Sequence, residues 1–121
     1  MDDFTRGYIA CALWAESADY TDRSFAALGY DESDLHPEAL RRITEDCADF
    51  QEANAVDLNL YEAARPLDYA GHDFWLTRNG HGAGFWDRGL GELGDRLTAA
   101  SKAYGGCSLY LGDDGLIYCH S

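Results

Sequence analysis

Positive charge is scarce in this sequence. Nine lysines and arginines stand against 22 aspartates and glutamates, a formal net charge of −13 at pH 7 over 121 residues. Nucleic acid and anionic membrane reward cationic clusters and repel an acidic surface, so neither is expected as a direct partner. Long apolar runs are missing too. None approaches the roughly 20 residues that span a bilayer, and Asp2 and Asp3 stand where a secretory signal carries positive charge. A cytoplasmic protein is the expectation. No Pro-rich linker, low-complexity tract or internal repeat divides the chain, so residues 1–121 are read as one domain. Hydrophobic residues make up 46% and aromatics 13%, which is enough for a packed core and excludes wholesale disorder.

Cofactor and metal motifs are also lacking. Cys11, Cys47, Cys107 and Cys119 are scattered, with no C-x-x-C pair and no Cys/His grouping of zinc-ligand type. Their spacing does not resemble a compact disulfide scaffold, and the chain is long enough to fold without one, so reduced, buried thiols are expected. No G-x-S-x-G elbow or phosphate loop appears, and no cofactor is expected.

What is present divides unevenly. Residues 1–70 carry 16 acids and five bases, whereas residues 71–121 carry six acids and four bases and 11 of the 13 glycines. The acidity belongs to an N-terminal helical part, and a Gly- and aromatic-rich part follows. A first helix is expected over about Phe4–Ser17, its centre apolar on every side, as befits a domain interior or a homodimer contact. The stretch from Tyr20 to Asp34 reads as a loop around Gly29. A long second helix should start at His36-Pro37, capped by Ser33 or Asp34, and run to about Ala63 before Pro66. His72–Arg78 reads as an aromatic-rich strand closed by Asn79-Gly80. A third helix follows over about Gly91–Tyr104, ending at Gly105-Gly106. Ser108–Leu111 and Leu116–Cys119, flanking Gly112–Gly115, read as a hairpin. The expected class is α+β, with helices on one face of a small antiparallel sheet of about three strands.

The second helix carries the clearest pattern. At about 100° per residue, Glu38, Glu45, Asp49 and Glu52 fall on one side, opposite Leu40, Ile43, Cys47, Phe50, Leu58 and Tyr61. The carboxylates span about 21 Å along the axis. Asp46 and Asp57 flank them, and Arg42 is placed to pair with Glu38 and Glu45. From Glu45 to Glu62 there are six acids and no base. An acidic helix face is ordinarily a solvated one, but a run of one sign costs self-repulsion. Such a row, with Asp31, Glu32 and Asp34 from the preceding loop, suits the basic groove of a nucleic-acid-binding protein by imitating a phosphate backbone.

The segment Gly71–Arg88, GHDFWLTRNGHGAGFWDR, is the most distinctive string. His72, Asp73, His81 and Asp87 are chemically suited to bind a metal, although adjacent strand residues point apart. His81-Gly82-Ala83-Gly84 could offer amides to an anion. A small hydrolase or metal-dependent enzyme using His72, His81 and Asp87 is therefore the alternative reading. The structural one is that Phe74, Trp75, Phe85 and Trp86 fill the core while Arg78, Asp87 and Arg88 pair across the loop. This string resembles a segment of small proteins encoded by tailed bacteriophages and prophages. The resemblance covers 18 residues and assigns no reaction. It implies an accessory protein in the host bacterial cytoplasm. With the acidic half, this suggests an inhibitor of host defence, anti-CRISPR or anti-restriction in type, that binds a basic surface of a nucleic-acid-binding complex.

Overall fold

The computed structural model describes residues 1–18 and 21–120; Asp19 and Tyr20, at the start of the expected loop, and Ser121 lie outside them. Helix α1 (Asp3–Ala15) opens on the Asp2 side chain, which accepts from the Thr5 amide. A 3-10 turn at Glu32–Asp34 leads into α2 (Pro37–Ala53). There follow α3 (Ala55–Glu62), α4 (Leu67–Arg78), a 3-10 turn at Phe85–Asp87, α5 (Glu92–Lys102), and the strands β1 (Ser108–Leu111) and β2 (Ile117–His120).

The class is α+β, with five α-helices and one small antiparallel sheet among the described residues. The sheet has two strands, not three, in the register Ser108↔His120 to Leu111↔Ile117. A third segment meets it only through a one-residue parallel bridge, in which Leu35 sits beside Ile117 and the His36 amide donates to Ile117 O.

The missing strand is the last half of α4. His72–Arg78 is helical, and every residue of it but His72 is buried. A helix covered on all sides has no amphipathic period, so its aromatics show only their β preference, which packing readily overrides. Gly71 does not end an element either. It lies inside α4 where that helix crosses α1: a Cβ there would fall 1.8 Å from Phe4 O, and one on Gly7 would fall 1.9 Å from Asp68 O. The two helices therefore touch backbone to backbone, at a distance only hydrogen side chains permit.

Around that crossing Phe4, Phe50 and Phe74 form the aromatic centre of the core. The rings of Phe50 and Phe74 stack at 4.2 Å, and Tyr8 and Tyr104 pack against Phe74. Trp75 and Phe85 are fully buried as expected, whereas Trp86 is 50% exposed and Trp14, on the nominally all-apolar first helix, is 68% exposed.

The expected second helix is two helices. Asn54, at φ −119° and ψ 27°, leaves the helical region, and its side-chain amide and backbone N–H both donate to Phe50 O. Asparagine competes in this way for the carbonyl that would continue a helix. Leu58 and Tyr61 still reach the core from α3, while Val56 and Leu60 face solvent. The α2 cap also differs from expectation. His36 Nδ1 accepts from the Glu38 amide, and Asp31 and Asp34 instead cap the preceding 3-10 turn.

Replacing either crossing glycine by alanine forces the helices apart, so Gly7→Ala and Gly71→Ala should each cost roughly 3 kcal/mol, the upper end of overpacking effects. Gly82→Ala, with open space around it, should change stability by less than about 0.5 kcal/mol. Thermal and urea unfolding followed by circular dichroism measures both.

Candidate functional site

The outer side of α2 holds the residues in question. Glu38, Glu45, Asp49 and Glu52 are exposed, while Ala39, Ile43, Cys47 and Phe50 are buried on the opposite side. The helix thus presents carboxylates to solvent because its apolar period faces α1, α4 and the hairpin. Beyond Glu52, the next helix, α3, exposes Val56 and Leu60.

The row is not uniformly free. Asp46 turns inward, and its Oδ2 accepts from Arg78 Nη1 at 2.9 Å. Arg78 is almost wholly buried at the C-terminal end of α4, where a cation also suits the helix dipole. Its Nη1 donates to Tyr8 Oη, its Nε to Gly105 O at 2.9 Å, and its guanidinium lies over the rings of Phe74 and Tyr104. This one side chain ties α1, α2 and the segment after α5 to α4. Asp57 is held by Arg96 of α5 in a two-pronged pair, with Nη2 to Oδ1 at 3.0 Å. Asp49 accepts from the Tyr104 hydroxyl, and burial followed by that carboxylate's charge raises the Tyr104 pKa. Glu45 meets Arg41, rather than the expected Arg42, in an exposed i,i+4 pair at 3.8 Å. Such a contact is worth only a few tenths of a kcal/mol. Asp31 and Asp34 accept from local amides, Ser33 and Asp31 respectively. The hydrogen bonds from Ser33 lower the Asp31 pKa. Glu32 and Asp31 also line an apolar groove of about 380 Å³ between α1 and residues 26–30, with Ile9, Leu13 and Tyr30. Of the nine acids expected at a partner surface, Asp46 and Asp57 are structural, and the rest lie wholly or partly at the surface.

The His/Asp set of the Gly-rich segment does not converge. Among the described residues no three His, Cys, Asp or Glu side chains are grouped as metal ligands. Asp73 is 1% exposed and already saturated: Arg88 Nη2 and Nε donate to Oδ1 at 2.7 and 3.0 Å, and Tyr61 Oη donates to Oδ2 at 2.8 Å. The partner of Arg88 is thus Asp73, not Asp87. Burial, then the neighbouring Asp73 charge, raises the Tyr61 pKa. His72 is half-buried on α4, and burial lowers its pKa. His81 is exposed beside the Trp75 ring at 4.7 Å, and Asp87 is exposed. The following loop is tied to α4, since the His81 amide donates to Leu76 O and the Phe85 amide to Thr77 Oγ1.

No helix among the described residues is long and apolar enough to cross a membrane. No protein-family model, curated protein or solved structure matches the chain.

Removing one charge of an ion pair that reaches into the core is costly, because its partner is left without compensation. Asp46→Asn and Asp73→Asn should each destabilise by about 3 kcal/mol, against less than about 0.5 kcal/mol for the exposed Glu52→Gln, as read from urea unfolding. His72 gives a pH dependence. With its pKa lowered in the folded state, the unfolded chain binds more protons, so stability falls as pH drops through the ordinary histidine value of about 6.5. The loss in melting temperature between about pH 7 and pH 5.5 should be smaller in His72→Gln than in the unaltered protein.

Proposed function

We propose that this chain is a non-enzymatic binding protein whose acidic α2 side docks on a basic, nucleic-acid-binding surface of a protein complex and competes with nucleic acid for it. One observation carries the reading: three arginines of other elements are turned inward or tied down, so the bases on the acidic helix itself are Arg41, loosely paired with Glu45, and Arg42. Arg78 is buried on Asp46, Arg88 is held by the buried Asp73, and Arg96 is paired with Asp57. Folding therefore leaves Glu38, Glu45, Asp49 and Glu52 facing water on a helix whose exposed bases are few. A one-signed surface on a rigid helix steers encounter with a basic partner and discriminates against acidic ones. The exposed Val56 and Leu60 of the adjoining α3 would add apolar area, in keeping with an interface that combines an anchor with a charged rim.

Because Asp46 and Asp57 are internally engaged, the carboxylates are sparser than phosphates along a strand. Recognition then rests on the field of the acidic side and a few direct contacts, not on a phosphate-by-phosphate copy. In the bacteriophage setting implied by the resemblance of Gly71–Arg88, the partner would be a host defence complex, and the protein an anti-CRISPR or anti-restriction inhibitor acting in the bacterial cytoplasm.

The test is a pull-down from bacterial host lysate at low and high salt, followed by titration of the captured complex. Glu38→Lys, Glu45→Lys and Glu52→Lys together spare the Asp49–Tyr104 bond and should weaken binding at least about a hundredfold with unchanged melting temperature. Added salt should weaken the unaltered protein's binding steeply. Binding indifferent to salt, or tolerant of the triple reversal, overturns the reading.

A further inference from the structure

Two cysteines that lie twelve positions apart in sequence are brought together by the hairpin. In the β1–β2 register Leu109 faces Cys119. Cys107, two residues before Leu109, therefore lies on the same side as Cys119, one diagonal step away at the open end of the hairpin. Each thiol is the first influence on the other's proton affinity. Their surroundings are unequal. Cys107 is buried, with the guanidiniums of Arg78 and Arg42 acting on it. Cys119 is half-buried and opens on a groove of about 380 Å³ beside Ala39, Arg42 and Tyr118. Its Sγ lies 4.0 Å from Ala39 O.

We propose that Cys107 and Cys119 form a redox site: a dithiol that a hydroperoxide closes to a disulfide across the open end of the hairpin and that excess thiol reopens. The neighbouring Cys119 thiol, then the charges of Arg78 and Arg42 against the cost of burial, lowers the Cys107 pKa, and the Cys107 thiol in turn raises that of Cys119. The thiolate is the nucleophile. Hydrogen peroxide, little larger than water, enters by the groove that Cys119 lines and passes it to the buried Cys107. The Cys107 sulfur attacks one peroxide oxygen, the O–O bond breaks, and hydroxide leaves and takes up a proton as water, giving a sulfenic acid. The Cys119 sulfur then attacks the Cys107 sulfur. An S–S bond forms, the S–O bond breaks, and the departing hydroxide leaves as water with the Cys119 proton. Two thiols and one peroxide become one disulfide and two waters.

A diagonal pair is wider than a directly facing one, so closure requires the backbone at Cys107 to shift. Cys107 lies outside the paired strand, directly after Gly105 and Gly106, where the chain can give. A bridge formed this way is strained and so readily reduced, the property of a regulatory disulfide more than a structural one. Closure also pulls on the Cys107 amide, which donates to Asn79 Oδ1, and on Gly105 O, which accepts from Arg78. Cys11 and Cys47 serve as internal controls, since burial pushes both thiols up to about 12 and neither has a thiol partner.

The experiment treats the full chain with hydrogen peroxide, alkylates the remaining thiols after denaturation, and maps chymotryptic peptides by mass. The expected result is loss of two of the four thiols and a Cys107–Cys119 cross-linked peptide two hydrogens lighter than its parts, reversed by dithiothreitol. In Cys119→Ser, Cys107 should instead stop at a sulfenic acid trapped by dimedone. Four alkylatable thiols after treatment, a cross-link through Cys11 or Cys47, or irreversible oxidation of Cys107 in the unaltered protein overturns the proposal. The mapping of the unaltered protein decides it even if the variant fails to fold.

Discussion

The contact of α1 with α4 at Gly7 and Gly71 governs the placement of nearly everything else. Side chains normally hold packed helices 8–10 Å apart, but here the carbonyls of Phe4 and Asp68 occupy the space where Cβ atoms would stand. That approach brings Phe4 and Tyr8 within ring contact of Phe74 and seats Phe50 of α2 on the same cluster. It also fixes the azimuth of α4, and so the direction in which Asp73 and Arg78 leave it. A helix so enclosed can carry two charged residues inward only because each is met by an opposite charge and hydrogen-bonding partners.

Those two inward charges change how the acidity of the protein should be counted. The net charge of −13 suggests carboxylates spread everywhere, yet three of them, Asp46, Asp57 and Asp73, are spent on arginines that join separate elements. The positive charge is invested in cohesion. The surplus carboxylates are left at the surface, and on α2 they share one side. The same element therefore holds a structural acid one residue away from an exposed one, Asp46 beside Glu45, and the two respond to substitution in unlike ways.

Where the hydrophobic period was clean, the sequence could be read directly. The core side of α2 follows from Ile43, Cys47 and Phe50, and the hairpin from two short apolar runs about a glycine turn; β1 has the expected bounds and β2 is displaced by one residue. Where burial surrounds an element, the period vanishes, so the sequence of α4 resembles a strand and Gly71 resembles a boundary. Asn54 was a visible helix-ending residue inside a strong pattern, and the pattern masked it. The carboxylates could be assigned to a face but not sorted, because Asp46 and Asp57 differ from their neighbours only through Arg78 and Arg96, each more than 30 residues distant. The nearness of Cys107 and Cys119 is implicit in the hairpin register, since the turn that joins the strands sets both positions, whereas their separation of 12 along the chain carries no such sign.

The order of the elements along the chain has a biosynthetic consequence. The partner of α1 is α4, whose last turn is made more than 60 residues after α1 ends. At about 5–20 residues per second, a growing chain spends several seconds with the first helix already emerged and its mate not yet translated. During that interval the surface around Gly7 that later lies against a carbonyl is open to water or to a chaperone. Native folding therefore waits for α4, and α1 cannot acquire its final packing as it appears.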